Sequence, residues 1–379
     1  MAAAPEAPRI VDFSAVVAVI DALPHAQVIE AIAAGFVSYS RGQVSVPQIQ
    51  TLGQPPLASF VGNPDAQACV KSAYVNGGEV FVTKVASGGG GQNSGLVLVF
   101  SQRTFRPEAI LLDDGWLTEL RTAAAGALAA KHFAPAQLAA VAVIGCGIQA
   151  RWQLRLLASA VWFSRVIGLG LGLGRGRGLG LTITLTLTLT LSLTLALTPG
   201  QVRCRRVLAW ARRPEQAGAL AADPELLAAG WRVEVASSAE VACREAGLVL
   251  CVTCARSPLV CADWLRGREV LVVAVGADSV GKQELEPACV KEASLVLADS
   301  RKQCTERGEL QHAVAQDLIR PDEVIEIGEW IARGVPPGSG AVPRGLIIFD
   351  TTGVAVQDVA IAELVLKTLL RGEPRRGRL

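Results

Sequence analysis

The feature that most limits what this chain can fold into is a short apolar run that passes directly into a glycine-rich turn. Residues 138–144 (LAAVAVI) form the apolar run, and Gly145-Cys-Gly-Ile-Gln-Ala150 follows without a spacer. The next residues, RWQLRLLASA, carry the apolar periodicity of a helix. A strand, a glycine-rich turn and a helix in this order are typical of one half of a doubly wound parallel sheet.

Each residue type in the turn has a physical reason to be there. Gly145 permits the tight turn, Gly147 lets the backbone approach a pyrophosphate, and Ala150 allows close packing of helix on strand. The first N–H groups of the helix, together with its dipole, favour bound phosphate. The motif therefore predicts a dinucleotide site formed by Gly145, Cys146, Gly147, Ile148, Gln149 and Ala150.

Further apolar runs follow the turn at intervals that leave room for helices. They are residues 206–211 (RVLAWA), 247–253 (GLVLCVT), 269–276 (EVLVVAVG) and 294–298 (SLVLA). Continuous apolar strands that alternate with helices indicate a parallel sheet buried on both faces, so we predict an α/β fold of the Rossmann type. Thr253 and Gly276 end two of these strands at the edge where ligands bind, and we expect both to contact the cofactor.

The end of the second strand predicts which dinucleotide binds. Without residues 161–200, the strand 206–211 lies at about the twenty-residue distance from the turn at which the ribose-reading residue is expected. Ala211 and Arg212 stand there, and no acidic residue is present to accept from a ribose 2′-hydroxyl. Arginine suits a 2′-phosphate, so NADP(H) is favoured, with NAD(H) possible. The alternative is a pair of solvated arginines at a strand end.

A low-complexity insertion interrupts this half of the chain at about residues 161–200. Residues 168–198 change from a Gly-Leu repeat into a Thr-Leu repeat. The Thr-Leu part alternates polar and apolar residues, which is a strand pattern and not that of a lipid-facing helix. We expect an exposed, disordered or aggregation-prone segment. One hypothesis is a retained intron or gene-model error that translates a hexanucleotide repeat on both strands, and the transcript sequence tests it.

Composition excludes several classes of protein. With 51% hydrophobic and 18% charged residues over 379 positions, the chain can bury two cores, so a disordered protein is excluded. Lys and Arg total 36 against 34 Asp and Glu, spread along the chain, so nucleic acid is not an expected partner. The N-terminus lacks a secretory pattern and the nine cysteines lack scaffold spacing, so we expect a cytoplasmic protein with no membrane association.

Three charged residues lie in surroundings that suggest chemistry. Lys84 lies in a strand pattern (EVFVTKVAS), Arg121 near the start of an alanine-rich helix, and Asp278 directly after the strand 269–276. A charge among small apolar residues is poorly solvated unless it meets an opposite charge. The alternatives are a solvent-reaching lysine, an exposed helix arginine and an ordinary loop aspartate. No histidine has metal-ligand spacing, so no metal site is predicted.

Segments spread over nearly the whole chain, apart from the insertion, resemble one known family. They are FVTKVAS around Lys84, residues 111–135, VIGCGIQARWQL, AVGADSVGKQEL, residues 298–313 and residues 349–363. Together they are similar to the ornithine cyclodeaminase and mu-crystallin superfamily. The resemblance implies a Rossmann domain, here 135–344, inserted into an α+β domain that binds substrate and forms a homodimer, here 1–134 and 345–379.

The resemblance also implies roles for residues. Lys84 and Arg121 would hold the substrate carboxylate, with Lys84 also catalytic, and Asp278 would act at the amine or imine nitrogen. Many family members carry an arginine after the proline of an early strand, as a third carboxylate ligand. This chain has glutamines in that run, at residues 46–52, and Lys71 is the expected substitute.

The family chemistry leaves several functions open. The favoured one is an NAD(P)-dependent oxidoreductase that reduces a small imine or ketimine of a 2-oxo acid to an amino acid, or runs the reverse reaction. One alternative is ornithine cyclodeaminase, which forms proline and ammonia from ornithine without net cofactor turnover. A second is a protein that binds NADP(H) and a small ligand without catalysis. The joint presence of Lys84, Arg121 and Asp278 favours the enzymes.

Overall fold

The structure is a computed structural model that describes residues 7–53, 67–89, 92–135, 137–163, 204–336 and 340–372. The repeat at 168–198 lies outside the described residues. The helix that follows the glycine-rich turn extends to Phe163, so it continues past residue 161, where the sequence places the start of the insertion.

The helices and strands of the described residues are as follows. The helices are α1 (Phe13–Ala22), α2 (His25–Ser40), α3 (Trp116–Phe133), α4 (Ile148–Phe163), α5 (Pro214–Ala221), α6 (Pro224–Ala228), α7 (Ala239–Glu245), α8 (Pro287–Glu292), α9 (Arg301–Arg307), α10 (Leu310–Val314), α11 (Ile327–Ala332) and α12 (Val356–Gly372). The strands are β1 (Arg9–Val11), β2 (Val44–Ser45), β3 (Gln50–Leu52), β4 (Gln67–Val75), β5 (Val80–Gly89), β6 (Gln92–Ser101), β7 (Pro107–Leu111), β8 (Val141–Ile144), β9 (Arg206–Trp210), β10 (Arg232–Val235), β11 (Leu248–Cys251), β12 (Arg256–Val260), β13 (Val270–Ala274), β14 (Gln283–Leu285), β15 (Leu295–Ala298), β16 (Ile325–Glu326) and β17 (Leu346–Asp350).

The larger sheet has eight parallel strands in the order β10-β9-β8-β11-β13-β17-β15-β16. Its central strands are Val- and Leu-rich runs whose residues are all buried, because helices cover both faces. The predicted doubly wound α/β sheet is therefore confirmed. The strand order reverses between β8 and β11, and ligands of such sheets bind in the crevice outside the carboxyl ends at that point.

The smaller sheet has seven strands in the order β1-β7-β6-β5-β4-β2, with β3 also paired to β4. Its long central ribbon of β4, β5 and β6 is antiparallel. Helix α12 packs on one face of this ribbon and contacts α2 and α3 as well. On the other face Tyr74, Phe81 and Phe100 form a row of neighbouring rings that is half-buried.

The last strand, β17, pairs with β13 and β15 in the parallel sheet. It begins at Leu346, close to the boundary at 344/345 that the resemblance implies between the two parts of the chain. All five residues of β17 are buried; four of them are apolar, and Asp350 accepts a hydrogen bond from the Leu310 amide. The chain leaves the parallel sheet only after Asp350, and α12 then returns to the smaller sheet.

Within the described ranges, no single helix has both the length and the apolar character needed to cross a membrane. Only α1 and α2 taken together meet that test, and the chain bends by 99° between them.

Candidate active site

The glycine-rich turn lies in the crevice between β8 and β11. Gly145 has a φ of 101°, and a Cβ there would lie 2.6 Å from Thr253 Cγ2, so a side chain does not fit. A Cβ at Gly147 would meet nothing within 4 Å, which leaves open space above the turn. Ala150 is fully buried against the sheet. Open space at the N-terminus of α4 is what a pyrophosphate requires, so these residues fit a dinucleotide.

The other residues of the turn face different directions. Cys146 Sγ lies 3.6 Å from the carbonyl oxygen of Trp210, and burial raises the pKa of its thiol to about 11. The Gln149 side chain donates to the carbonyl oxygen of Glu119, at 3.2 Å, and to the Glu119 carboxylate. Gln149 therefore ties α4 to α3, whereas the Ile148 side chain is exposed.

The end of β9 presents one buried residue and one exposed one. Ala211 is buried, and Arg212 is exposed. The Arg212 guanidinium makes no hydrogen bond or ion pair with another residue in the described part of the chain. Its charge is therefore available to a ligand at this edge of the sheet.

Thr253 and Gly276, at the ends of β11 and β13, share an acid that the sequence analysis missed. Glu284 accepts from the Thr253 amide at 2.6 Å and from the Gly276 amide at 2.8 Å. Any contact of these two residues with a cofactor must therefore use other atoms than their N–H groups. Glu284 is fully buried, and burial raises its pKa to about 7 despite these hydrogen bonds.

The second part of the site is a pair of buried cations that share one carboxylate. Lys84 lies on β5 and Arg121 on α3, and their side chains are only 3% and 6% exposed. Lys84 Nζ donates to Asp358 Oδ1 at 2.9 Å, and Arg121 Nε lies 3.5 Å from the same oxygen. Arg121 Nη1 also donates to Gln357 Oε1 at 2.7 Å. This burial excludes the solvent-facing alternatives for both residues.

Burial and charge act in opposite directions within this pair. Burial lowers the pKa of Lys84, and the Asp358 carboxylate partly offsets that effect. Burial alone would raise the pKa of Asp358, but Lys84 and Arg121 hold it below its usual value. Asp358 Oδ2, Gln357 Nε2 and Arg121 Nε are buried without a hydrogen-bond partner among the described residues. Buried polar atoms are normally paired, so a polar ligand would complete this cluster.

Lys71 joins the cluster from the neighbouring strand. It lies on β4 directly opposite Lys84 in the antiparallel ladder. Its Nζ donates to the carbonyl oxygens of Gly353, at 2.8 Å, and Thr352, at 3.2 Å. Both carbonyls belong to the loop after β17, at the carboxyl edge of the parallel sheet. The structure therefore brings Lys71, Lys84 and Arg121 together at that edge.

Asp278 lies at the same edge, after β13. Its Oδ1 accepts from Lys282 Nζ at 2.6 Å, and Arg307 Nε donates to its backbone carbonyl at 2.8 Å. Partial desolvation would raise its pKa, but Lys282, with a contribution from Lys71, holds that pKa below its usual value. The side chain is about half-exposed (51%), so an ionised carboxylate faces accessible space.

The residues that bind the predicted site residues, or that fix the loop beside them, were not predicted from the sequence. Asp358 and Gln357 lie in an apolar helix pattern (VQDVAIAELVL), and a charge in such a run is the same signal that singled out Lys84. Asp299 accepts from Thr351 Oγ1 and from the Gly353 amide, and so fixes the loop that holds Lys71. Nothing in the local pattern around Asp299 predicts that long-range contact.

Comparison with known proteins gives matches over most of the chain. The model of the ornithine cyclodeaminase/mu-crystallin family matches residues 11–167 and 192–373, and the gap between them falls inside the low-complexity insertion. An uncharacterized cyclodeaminase of Sinorhizobium fredii is 32% identical over 83% of this chain and 84% of its own length. The iminosuccinate reductase of Paracoccus denitrificans is 32% identical over 72% of this chain and 69% of its own.

Two solved structures have the same fold. The Paracoccus reductase, in complex with NAD+, has a TM-score of 0.73 at 26% identity and covers 96% of this chain and 97% of its own. An archaeal alanine dehydrogenase dimer with bound NAD has a TM-score of 0.74 at 25% identity, with 96% of each chain covered. The names of the reductase and the dehydrogenase refer to iminosuccinate, a small imino acid, and to alanine, a small amino acid. The chain belongs to the ornithine cyclodeaminase/mu-crystallin family.

Proposed function

We propose that the protein is an NAD(P)-dependent oxidoreductase that reduces a small imine or ketimine of a 2-oxo acid to the amino acid, or catalyses the reverse oxidation. The observation that carries this proposal is that three cations and an ionised aspartate lie at the same edge of the parallel sheet as the glycine-rich turn. Lys71, Lys84 and Arg121 supply the positive charge, and Asp278 lies at the same sheet edge.

Different residues bind the carboxylate and the iminium nitrogen of the substrate. Lys84 and Arg121 bind the carboxylate next to the reacting carbon and fix its orientation. Asp278 stabilises the positive charge of the iminium nitrogen, because its lowered pKa keeps it ionised at neutral pH. A bound dihydronicotinamide supplies the hydride that forms the new C–H bond. The C=N π pair becomes the nitrogen lone pair, so the iminium is converted to the amine.

For the cofactor, we propose that Gly145, Gly147 and Ala150 form the phosphate-binding turn, with Cys146, Ile148 and Gln149 completing it. Open space at Gly147 supports this assignment. Thr253 and Gly276 line the same crevice through atoms other than their amides. Arg212 is exposed beside buried Ala211 and has no partner among the described residues, which favours NADP(H) over NAD(H).

The second candidate is an ornithine cyclodeaminase, which a relative described as a cyclodeaminase favours. That reaction oxidises the α-amine to an imine, the distal amine attacks the imine carbon, ammonia leaves and the ring imine is reduced. Hydride is taken and returned, so the cofactor is not consumed. A requirement for stoichiometric reductant separates the two candidates.

The experiment is an assay of NADPH and NADH oxidation by the full chain. The substrates are 2-oxo acids with ammonium or methylamine, and a cyclic ketimine. We expect oxidation that depends on the imine. Lys84→Met should lower kcat/KM at least about a hundredfold and leave NADPH binding, measured by fluorescence, unchanged. Conversion of ornithine to proline with catalytic cofactor and no imine reduction would instead establish the cyclodeaminase.

We also propose that two copies of the chain associate through the smaller sheet. Its outer face carries Tyr74, Phe81, Phe100, Leu98 and Ile110, which are only partly buried in the single chain and have no helix packed on them among the described elements. Contiguous apolar faces that stay partly exposed in a single chain are typical of interfaces. The archaeal relative is described as a dimer. Sedimentation of the wild type against Phe81→Glu tests the assignment, with a monomeric variant expected.

A further inference from the structure

Lys71 is held differently from the two cations beside it. Lys71 and Lys84 are cross-strand neighbours, so their side chains lie on the same face of the sheet. Lys71 Nζ uses two of its three N–H donors on the carbonyl oxygens of Thr352 and Gly353. The third donor has no partner among the described residues, and the ammonium group forms no ion pair there.

Among the three cations, Lys71 is the one without a carboxylate in direct contact in the described part of the chain. Lys84 and Arg121 share Asp358, and Asp113 also acts on Lys84. Burial, together with Lys84 and Arg121, lowers the pKa of Lys71 to about 8. A cation destabilised by like charges is stabilised when an anion binds beside it.

The net charge of the site indicates what kind of substrate would balance it. Three cations face the two carboxylates of Asp358 and Asp113, and Arg307 adds a further positive charge beside the Asp278–Lys282 pair, so the site carries a surplus of positive charge. An iminium that carries a single carboxylate is neutral overall and leaves this surplus unchanged. An iminium that carries two carboxylates has one net negative charge and reduces it.

We infer that Lys71 binds a second carboxylate on the substrate side chain, so that the preferred substrate is the imine of a dicarboxylic 2-oxo acid. This inference rests on the proposed function. Lys71 lowers the pKa of Asp278 as well as that of Asp358, whereas Lys84 and Arg121 are held on Asp358 by direct ion pairs, so Lys71 is the cation of the three with an N–H donor left for a second carboxylate. The competing assignment makes Lys71 a third ligand of that first carboxylate.

The test compares substrates of matched size and different charge in the oxidative direction. L-aspartate is compared with L-asparagine, L-glutamate with L-glutamine, and L-alanine serves as the monocarboxylate without a polar side chain. We expect kcat/KM for the diacid of at least one pair to exceed that of its amide about tenfold or more, the size of one charge-assisted hydrogen bond. Lys71→Met should abolish this preference, because it should lower kcat/KM for the diacid at least about tenfold more than kcat/KM for alanine.

Two further variants control the test. Lys71→Arg keeps the charge and should keep the preference for the diacid. Lys291→Met, at an exposed position of α8 without an ion pair among the described residues, should leave all rates unchanged. An equal loss on every substrate in Lys71→Met would overturn the inference, because it would assign Lys71 to the shared carboxylate.

Binding of unreactive acids separates this inference from the proposed function. Succinate and butanoate have the same carbon chain and differ by one carboxylate, and calorimetry measures their binding to the protein with its cofactor. We expect succinate to bind at least about tenfold more tightly, and Lys71→Met to remove the difference. Equal binding of the two acids would sink the inference whatever the activity, whereas a succinate preference without turnover would count against the proposed reaction alone.

Discussion

At the glycine-rich turn the important residues lie within six positions of one another, whereas the cation pair joins segments far apart in the chain. Gly145 and Ala150 belong to one strand-turn-helix unit. Lys84 and Asp358, by contrast, are separated by 274 positions. A local unit can be recognised from its own sequence, but a long-range pair forms only when two sheets and a returning helix are in place.

The two regions also depend on different physical terms. The turn depends on the absence of side chains, because a Cβ at Gly145 would collide and one at Gly147 would fill ligand space. The cation pair depends on charge balance in a region shielded from water, where removing one member leaves another unpaired. Changes at the turn should therefore act on ligand affinity or local strain, and changes at the pair on the whole fold.

The largest effect is expected for Asp358→Asn. Lys84 and Arg121 would lose the buried carboxylate that they share, so the free energy of unfolding should fall by about 3 kcal/mol. Chemical denaturation measures this change. Glu363→Gln on the same helix removes only an exposed pair with Lys367 and should cost less than about 0.5 kcal/mol. Equal losses in both variants would show that the buried ion pairs of Asp358 contribute no more to the free energy of unfolding than the exposed pair does.

A smaller effect is expected from Gly145→Ala, with Gly147→Ala as its matched partner. At Gly145 the positive φ and the contact with Thr253 should cost about 2 kcal/mol of stability. At Gly147 the added methyl meets no neighbour, so stability should stay within about 0.5 kcal/mol while NADPH affinity falls about tenfold. Denaturation and fluorescence titration measure the two quantities. Unchanged affinity in Gly147→Ala would place the phosphates elsewhere.

The same contrast explains what the sequence could predict. The strands of the parallel sheet and the turn at Gly145 were recognisable because apolar runs, glycines and helix periodicity are local signals. Lys84 and Arg121 were singled out because a charge in an apolar run is costly unless paired. Their common partner was not identified, although Asp358 carries the same signal, because local patterns do not say which buried charges meet.

Two further features required the three-dimensional structure. Strand β17 was not predicted from the sequence, and its place in the parallel sheet is set by its pairing with β13 and β15. Glu284 was missed because its role depends on amides at the ends of two strands that it approaches from a separate loop. No spacing rule along the chain encodes that contact.

Arg212→Asp tests the part of the turn region that reads the ribose, and its effect should be selective. An aspartate repels a 2′-phosphate and accepts from a 2′-hydroxyl, so the ratio of kcat/KM for NADPH to that for NADH should fall at least about tenfold. Arg103→Asp makes the same charge change at an exposed position in the other half of the chain and should leave the ratio unaltered. An unchanged ratio in Arg212→Asp would remove the basis for favouring NADP(H).

The smallest effect concerns the pH dependence of stability. It arises from Glu284, the buried acid that accepts hydrogen bonds from the amides that follow β11 and β13. Glu284 has a pKa of about 7 in the fold, above its ordinary value of 4.5, because burial disfavours its charge. Between those two values the folded protein holds more protons than the unfolded chain, so this contribution to stability is complete below about pH 4.5 and is lost as the pH rises toward 7.

Glu309 and Asp350 have raised pKa values for the same reason, mainly burial, and act with the same sign. Denaturation at several pH values should show the free energy of unfolding decline as the pH rises across this interval, and Glu284→Gln should make the slope shallower by about 1 kcal/mol per pH unit. Glu306→Gln, at an exposed position, should keep the wild-type slope. If Glu284→Gln kept the full slope, Glu284 would not titrate between pH 4.5 and 7 in the fold. Its contribution to stability would then come only from its hydrogen bonds to the amides at the two strand ends.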